Sequence, residues 1–308
     1  MMRRPTSEIQ CDHVMRSFVR VLLLVLALPG VTRADPPPIV ASPRESWRFD
    51  GVLIGSGLTA LAVSAGLATD SQPVPLEGLP SSNVHLGFDR EAIGEKSADA
   101  GLASDRLESL SLAYPVLLRA GFSHGTDRLR SPLNAAVMTL ESVVIAQGVG
   151  AIMKPLVSRP RPYTYLSDAE RPSGAEYDVA SDRAFHSFPS GHSTAAWAAV
   201  STGICDHLLS RPTAGWGEHA TVGFLGGMLA ATTAALRVEA GQHFPSDVFA
   251  GSVIGIASGT TVPLLHRYVS GGAKAPLPTR RSLLGAIGGT AVGVGAGLFA
   301  AEILGDWN

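Results

Sequence analysis

The chain alternates between long apolar stretches and more polar connections. Seven stretches rich in Ala, Gly, Leu and Val are each long enough for a helix, at about 51–68, 102–121, 132–153, 191–209, 218–237, 246–268 and 282–304. Few positions alternate between apolar and polar with a period of two, so strands are disfavoured. The pattern predicts an all-α fold, a helical bundle of about six core helices, with its longest irregular segments at about 69–101 and 160–188.

The N-terminal residues 1–34 are typical of an export signal. Arg16 and Arg20 precede a short apolar core, Val21–Leu28, and Thr32 and Ala34 are small residues at the expected −3 and −1 positions of a cleavage site. The apolar core is shorter than the roughly 20 residues of a membrane span. An exported protein is therefore expected, and a single uncleaved anchor is the alternative.

Three further regions follow this leader. We expect a Pro-rich linker at 35–50, a main helical domain at 51–270 and a Gly-rich apolar helix within 271–308. The glycines of the last region are spaced for close packing against another helix.

Composition leaves the chain between a soluble globule and a polytopic membrane protein. Hydrophobic residues make up 45% of the chain and charged residues 16%, against about 25% charged residues in typical soluble domains. The net charge of −2 argues against a nucleic-acid partner, which would select a basic excess.

The loop charges only partly fit a membrane topology. Basic residues such as Arg128, Arg211 and Lys274 lie in alternate connections, as the positive-inside rule requires of cytoplasmic loops. A cleaved leader would place the start of segment 51–68 outside and break this alternation. Glu141 is also unusual in an apolar segment, since a charge at the bilayer centre costs about 2.5–3.5 kcal/mol on insertion scales; one explanation is a partner on a neighbouring helix. We therefore expect an exported periplasmic or cell-envelope protein, with inner-membrane association left open.

Cations cluster where the segment 132–153 ends. Lys154 and Arg161 are seven residues apart, and Pro155, Pro160 and Pro162 favour the end of the helix and a rigid extended exit. Two fixed cations suit an anion with several oxygens. Cations at a helix C-terminus are also favoured by the helix dipole alone.

Two histidines lie at the starts of later helices. In the sequence FPSGHST, Ser190 is a natural N-cap, and the free N–H groups of Gly191 and its neighbours are expected to form an anion site beside His192. An ordinary capped helix start with an exposed histidine is the alternative. Asp247 follows His243 by four residues, a spacing at which its carboxylate can hydrogen-bond the ring and leave the other nitrogen free to act as a nucleophile or base.

The order and spacing of these clusters resemble the type 2 phosphatidic acid phosphatase and vanadium haloperoxidase superfamily. The signature K-x6-R-P, P-S-G-H and S-R-x5-H-x3-D is matched by Lys154-x6-Arg161-Pro162, Pro189-Ser190-Gly191-His192 and Arg237-x5-His243-x3-Asp247. Leu236 replaces the serine that usually precedes the third-motif arginine. The resemblance covers about residues 120–266.

The resemblance implies an all-α bundle with a metal-independent site. It implies that His243 attacks phosphorus and forms a phosphohistidine, that Asp247 holds its ring, and that His192 protonates the leaving oxygen and then activates water. The residues expected to bind the phosphate oxygens are Lys154, Arg161, Ser190, Gly191 and Arg237.

The expected function is therefore a phosphatase acting on a phosphate monoester or diphosphate. A lipid or isoprenyl phosphate is the favoured partner, a soluble small-molecule phosphate is a variant, and no cofactor or metal is expected. The alternatives are a haloperoxidase, with vanadate where phosphate would bind, and a non-enzymatic membrane scaffold. The acid-rich segment 164–187 is expected to cover the site and to tune substrate choice.

Overall fold

The computed structural model describes residues 43–123, 129–269 and 276–305, so the predicted export signal lies outside the described residues. All seven apolar stretches are helical, and no strand is found in these three ranges, which confirms the all-α prediction. The α-helices of the described residues are α1 Pro43–Ser64, α2 Gly87–Arg90, α3 Ala98–Phe122, α4 Arg130–Val157, α5 Gly191–Ser210, α6 Trp216–Glu239, α7 Pro245–Val269 and α8 Arg280–Gly305; short 3-10 helices lie in the connections.

The first helix differs from its expected boundary. Helix α1 begins at Pro43, inside the stretch 35–50 that was expected to be a linker. Proline lacks the N–H group that a first helical residue leaves unpaired anyway, and its fixed φ suits a helix start. The proline content that indicated a linker is thus also compatible with a helix start.

The long helices α5 and α6 form the centre of the bundle, together with α3. Their large buried side chains make one core cluster, which includes Tyr114, Trp197, Val200, Leu229 and Leu236. The Tyr114 hydroxyl donates a 2.6 Å hydrogen bond to the carbonyl oxygen of Val222. This bond satisfies the one polar atom of a side chain that is otherwise buried among apolar groups.

Rows of glycine allow α7 and α8 to pack closely against these central helices. Every fourth residue of α8 from Gly285 to Gly305 is small and buried, and a Cβ on Gly289 would lie 2.0 Å from the Ala220 carbonyl oxygen of α6. In α7, a Cβ on Gly259 would lie 2.2 Å from the Ala198 carbonyl oxygen of α5. These backbones therefore touch where only glycine leaves room, as the glycine spacing near the C-terminus indicated.

The opposite faces of the outer helices carry large apolar side chains. Phe249 and Val253 of α7, and Ile287, Val292 and Phe299 of α8, are more than half exposed. By length and composition, four stretches could cross a membrane: 130–165, 216–239, 245–269 and 280–305. Small residues inside and large apolar residues outside are the arrangement expected of helices that face lipid, which fits membrane association.

Candidate active site

The motif residues meet at one end of the bundle because the helices alternate in direction. Helix α4 ends three residues after Lys154, and α6 ends two residues after Arg237. Helix α5 begins at Gly191, directly before His192, and α7 begins two residues after His243. Each functional side chain therefore lies in the last or first turn of a helix, or beside it.

The exit from α4 orients the first cluster. Ser158 adopts a left-handed conformation with φ of 45°, and its N–H donates to the Lys154 carbonyl oxygen at 2.9 Å, which ends the helix. Arg161 follows in extended conformation. Its Nε donates to the Arg183 carbonyl oxygen at 2.8 Å, and its Nη1 donates to Gln242 Oε1 at 2.5 Å. The guanidinium is thus held by two neighbouring loops before any ligand binds.

The start of α5 lies against Lys154. Ser190 is the fully buried N-cap residue, and its side chain accepts from the Ser193 N–H. A Cβ on Gly191 would lie 3.3 Å from the Lys154 Nζ, so the ammonium approaches the helix N-terminus closely. An ammonium and a helix N-terminus attract the same kind of ligand, an anion.

His243 is buried, but its ring is not held as the spacing predicted. Its Nδ1 lies 2.7 Å from the Ser187 carbonyl oxygen and 4.0 Å from Asp247 Oδ2. A carbonyl oxygen can only accept, so Nδ1 carries the proton and Nε2 keeps its lone pair. The expected tautomer is therefore obtained from a different partner, a backbone carbonyl of the 158–190 segment.

Asp247 acts on His243 through this neighbouring segment. Its Oδ2 accepts from the Ser187 hydroxyl at 2.5 Å and from the Phe244 N–H at 2.9 Å. Its Oδ1 accepts from Arg159 Nη1 at 2.5 Å. The carboxylate thus fixes the residue whose carbonyl oxygen orients the histidine ring.

The electrostatic surroundings keep His243 neutral. Burial lowers the pKa of the imidazole well below its ordinary value, and the positive charges of Arg161, Arg237, Lys154 and His192 lower it further. All four residues lie close enough to His243 to act on its charge. A neutral imidazole with a free Nε2 is the form that can attack an electrophile.

Two acidic residues of α3 face His192, and the motif analysis missed both as site residues. His192 Nε2 lies 2.8 Å from Asp105 Oδ1 and 3.3 Å from Glu108 Oε2. The hydrogen bond to His192 lowers the pKa of Asp105 despite partial burial, whereas burial raises the pKa of Glu108. The available signal was two acids three residues apart near the start of an apolar helix, which places them on one face.

Asp105 also lies 3.3 Å from Arg237 Nη1. One carboxylate oxygen therefore contacts a phosphate-binding candidate and the proposed proton donor, two groups that an incoming phosphate oxygen would also contact. The Arg237 Nε is buried and has no hydrogen-bond partner among the described residues. Such an unused donor beside the site fits a ligand with several oxygens.

The arrangement brings together one buried histidine, a second histidine beside two carboxylates, and several cations at helix ends, a combination that suits an oxyanion ligand. The family model described as PAP2 superfamily matches residues 135–270. This match confirms the resemblance of residues 135–270 to the predicted superfamily.

The family supports a hydrolase of phosphate esters in general, with phosphatase or haloperoxidase-type activity. No match was found among curated proteins or among solved structures.

Proposed function

We propose that this protein is a metal-independent phosphohydrolase that works through a phosphohistidine on His243. The observation that carries the proposal is the state of this ring, neutral and protonated on Nδ1, with four positive or proton-donating side chains near it. Phosphoryl transfer needs a positioned nucleophile and charge stabilisation on the oxygens of phosphorus. In this proposal His243 is the nucleophile, and cationic side chains together with backbone N–H groups at the start of α5 stabilise the charge.

In the first step the Nε2 lone pair of His243 attacks phosphorus in line with the leaving group. The P–N bond forms as the bond from phosphorus to the leaving oxygen breaks, and His192 donates its proton to that oxygen. In the second step His192 takes a proton from water, the water oxygen attacks phosphorus, and the P–N bond breaks. Phosphate is released and His243 is neutral again.

The roles of the remaining predicted residues follow from their positions. Lys154, Arg161 and Arg237 neutralise the phosphate oxygens, and the start of α5 at Ser190 and Gly191 contributes backbone N–H groups. Asp105 and Glu108 lie beside His192 Nε2 and position its ring. Asp247 positions Ser187 and therefore the His243 ring.

We propose an amphiphilic substrate, a phosphate monoester or diphosphate on a lipid or isoprenyl chain. The support is the exposed apolar surface of α4, α7 and α8, which would place the helix-end site near a membrane surface. For the same reason we propose a cell-envelope location with inner-membrane association. Membrane fractionation followed by an alkaline wash tests this, and release of the full-length protein by the wash would contradict it.

The functional test is phosphate release from lipid, isoprenyl and soluble phosphates by purified protein. We expect His243→Ala to abolish turnover while circular dichroism shows the helices intact. Substrate carrying labelled phosphorus should leave label on the wild type after an acid-free quench and none on His243→Ala. Full activity of this variant would refute the proposed nucleophile.

Orthovanadate separates the two chemistries of the superfamily. A phosphatase is inhibited when vanadate occupies the oxyanion site. A haloperoxidase instead becomes able to oxidise halide with peroxide when vanadate is bound. A wild-type protein that hydrolyses no phosphate ester and oxidises no halide would instead support the non-enzymatic scaffold.

A further inference from the structure

A second cluster of polar side chains lies inside the bundle, away from the active site. It joins three helices: Asp50 of α1, Glu141 of α4 and His266 of α7, with one ligand atom from each within 4.8 Å of the others. Glu141 precedes Lys154 by 13 residues on the same helix, which is about 20 Å along its axis. The cluster is therefore separate from the phosphate-binding end.

Two carboxyl groups of the cluster lie beside one imidazole ring. His266 Nε2 lies 2.5 Å from Glu141 Oε2 and 3.9 Å from Asp50 Oδ1. Glu141 is fully buried, and its Oε1 has no hydrogen-bond partner among the described residues; the same is true of the buried Asp50 Oδ1. Buried carboxylate oxygens are normally paired with a donor or a cation, because leaving them unpaired is costly.

We propose that Asp50, Glu141 and His266 bind a divalent transition-metal ion of the zinc class. One imidazole nitrogen and two carboxylates are a common ligand set for such ions, whereas Mg²⁺ and Ca²⁺ favour oxygen ligands alone. Two ligand atoms at about 2.1 Å from a tetrahedral ion are roughly 3.4 Å apart. The observed distances of 2.5 and 3.9 Å lie on either side of this value, so small side-chain shifts admit the ion.

The ion would link α1 to the helices of the region that matches the superfamily. Residues 135–270 match the superfamily, and α1 lies before them. Glycines already bring the two helices close, since a Cβ on Gly148 of α4 would lie 2.9 Å from the Gly57 carbonyl oxygen of α1. A metal with ligands from α1, α4 and α7 would add coordinate bonds to the close packing and to the Glu141–His266 contact that already join these helices.

The test measures metal content and metal-dependent stability of the full-length protein in detergent. The protein is stripped with a chelator, loaded with Zn²⁺, passed through gel filtration and analysed for bound metal. We expect one tightly bound zinc per chain, and a melting temperature that rises with Zn²⁺ concentration. Loading with Co²⁺ should give the visible absorption of a four- or five-coordinate site.

Three ligand variants and one control locate the ion. Glu141→Gln and His266→Asn should each lose the bound zinc and the Zn²⁺-dependent rise in melting temperature. Asp50→Asn changes a partly exposed residue, so it tests the ligand set even if a variant at the buried Glu141 misfolds. The control His243→Ala alters the active site and should keep both signals.

Two results would overturn the proposal. One is a wild-type protein that retains no zinc after gel filtration and whose melting temperature does not depend on Zn²⁺. In that case the three side chains form a hydrogen-bonded cluster without a metal. The other is a folded Asp50→Asn or His266→Asn protein that binds zinc as the wild type does. The measurements use no substrate, so their failure is distinct from failure of the proposed phosphatase activity.

Discussion

Gly251 in the second turn of α7 sets the distance between the two histidines of the site. A Cβ on this residue would lie 2.6 Å from the Ser190 carbonyl oxygen and 2.8 Å from Thr194 Oγ1. Ordinary van der Waals contact for a Cβ begins at 3.4 Å, so Gly251→Ala must move α7 away from α5 by roughly 0.8 Å. Because the obstacle is backbone, a rotamer change of a neighbour cannot relieve it.

This movement separates His243, which precedes α7, from His192 in the first turn of α5. A misplacement of about 1 Å in an active site can cost roughly 100-fold in rate. We therefore expect Gly251→Ala to lower kcat about 10- to 100-fold. KM should change less, since Lys154 and Arg237 lie on helices that the substitution does not touch.

The assay is phosphate release from a lipid phosphate, with the melting temperature recorded in parallel. Gly288→Ala is the matched control, because a Cβ on Gly288 of α8 meets nothing within 4 Å. Both substitutions add one methyl group to a helix, and both stabilise the helix through propensity by the same amount, up to about 1 kcal/mol. The reasoning fails if Gly251→Ala remains within about twofold of the control in kcat.

Three further predictions concern charge. Burial and neighbouring cations lower the pKa of His243, so the acid limb of kcat/KM should lie below pH 6.5. Below pH 6.5 the free energy of unfolding should also decrease as the pH is lowered, because the histidine of the unfolded chain takes up a proton more readily. A limb at or above pH 6.5 would contradict this. Asp105→Asn should tighten vanadate inhibition up to about fivefold, since a largely exposed carboxylate competes for Arg237; unchanged or weaker inhibition argues against it. Arg159→Met removes the charged partner of two unexposed carboxylates, those of Asp89 and Asp247. It should destabilise the fold by about 3–5 kcal/mol, seen in chemical denaturation; a wild-type midpoint would show that these ion pairs contribute little.

The helices were predictable because their apolar stretches are long and strongly marked. Each of the seven stretches matches a helix to within a few residues, except at the start of α1, where the helix extends eight residues further. Fold class follows from such local patterning, since a bundle is what long apolar helices without strands can form.

The candidate site was predictable only in part. The motif spacing singled out Lys154, Arg161, His192, Arg237 and His243, and the structure brings their side chains to one end of the bundle. The motif spacing could not identify the acids that face His192, because Asp105 is 87 residues away from it in the chain. Contacts over such separations depend on helix packing rather than on local spacing.

The orientation of the His243 ring illustrates the same limit. A spacing of four residues brings Asp247 within 4.0 Å, but Ser187 lies closer and takes the hydrogen bond. The choice depends on where the 158–190 segment crosses the start of α7. Nothing within the local sequence of α7 encodes that crossing.

The sequence by itself determined the helices, the superfamily of residues 135–270 and the residue types of an oxyanion site. Only the tertiary structure decided which neighbouring helix the glycine-lined faces of α7 and α8 pack against. On α8 the small residues from Gly285 to Gly305 lie against α6, while Ile287 and Phe299 point outward. Composition counts both kinds of residue as apolar and cannot separate them, whereas close approach of two backbones admits only the small ones.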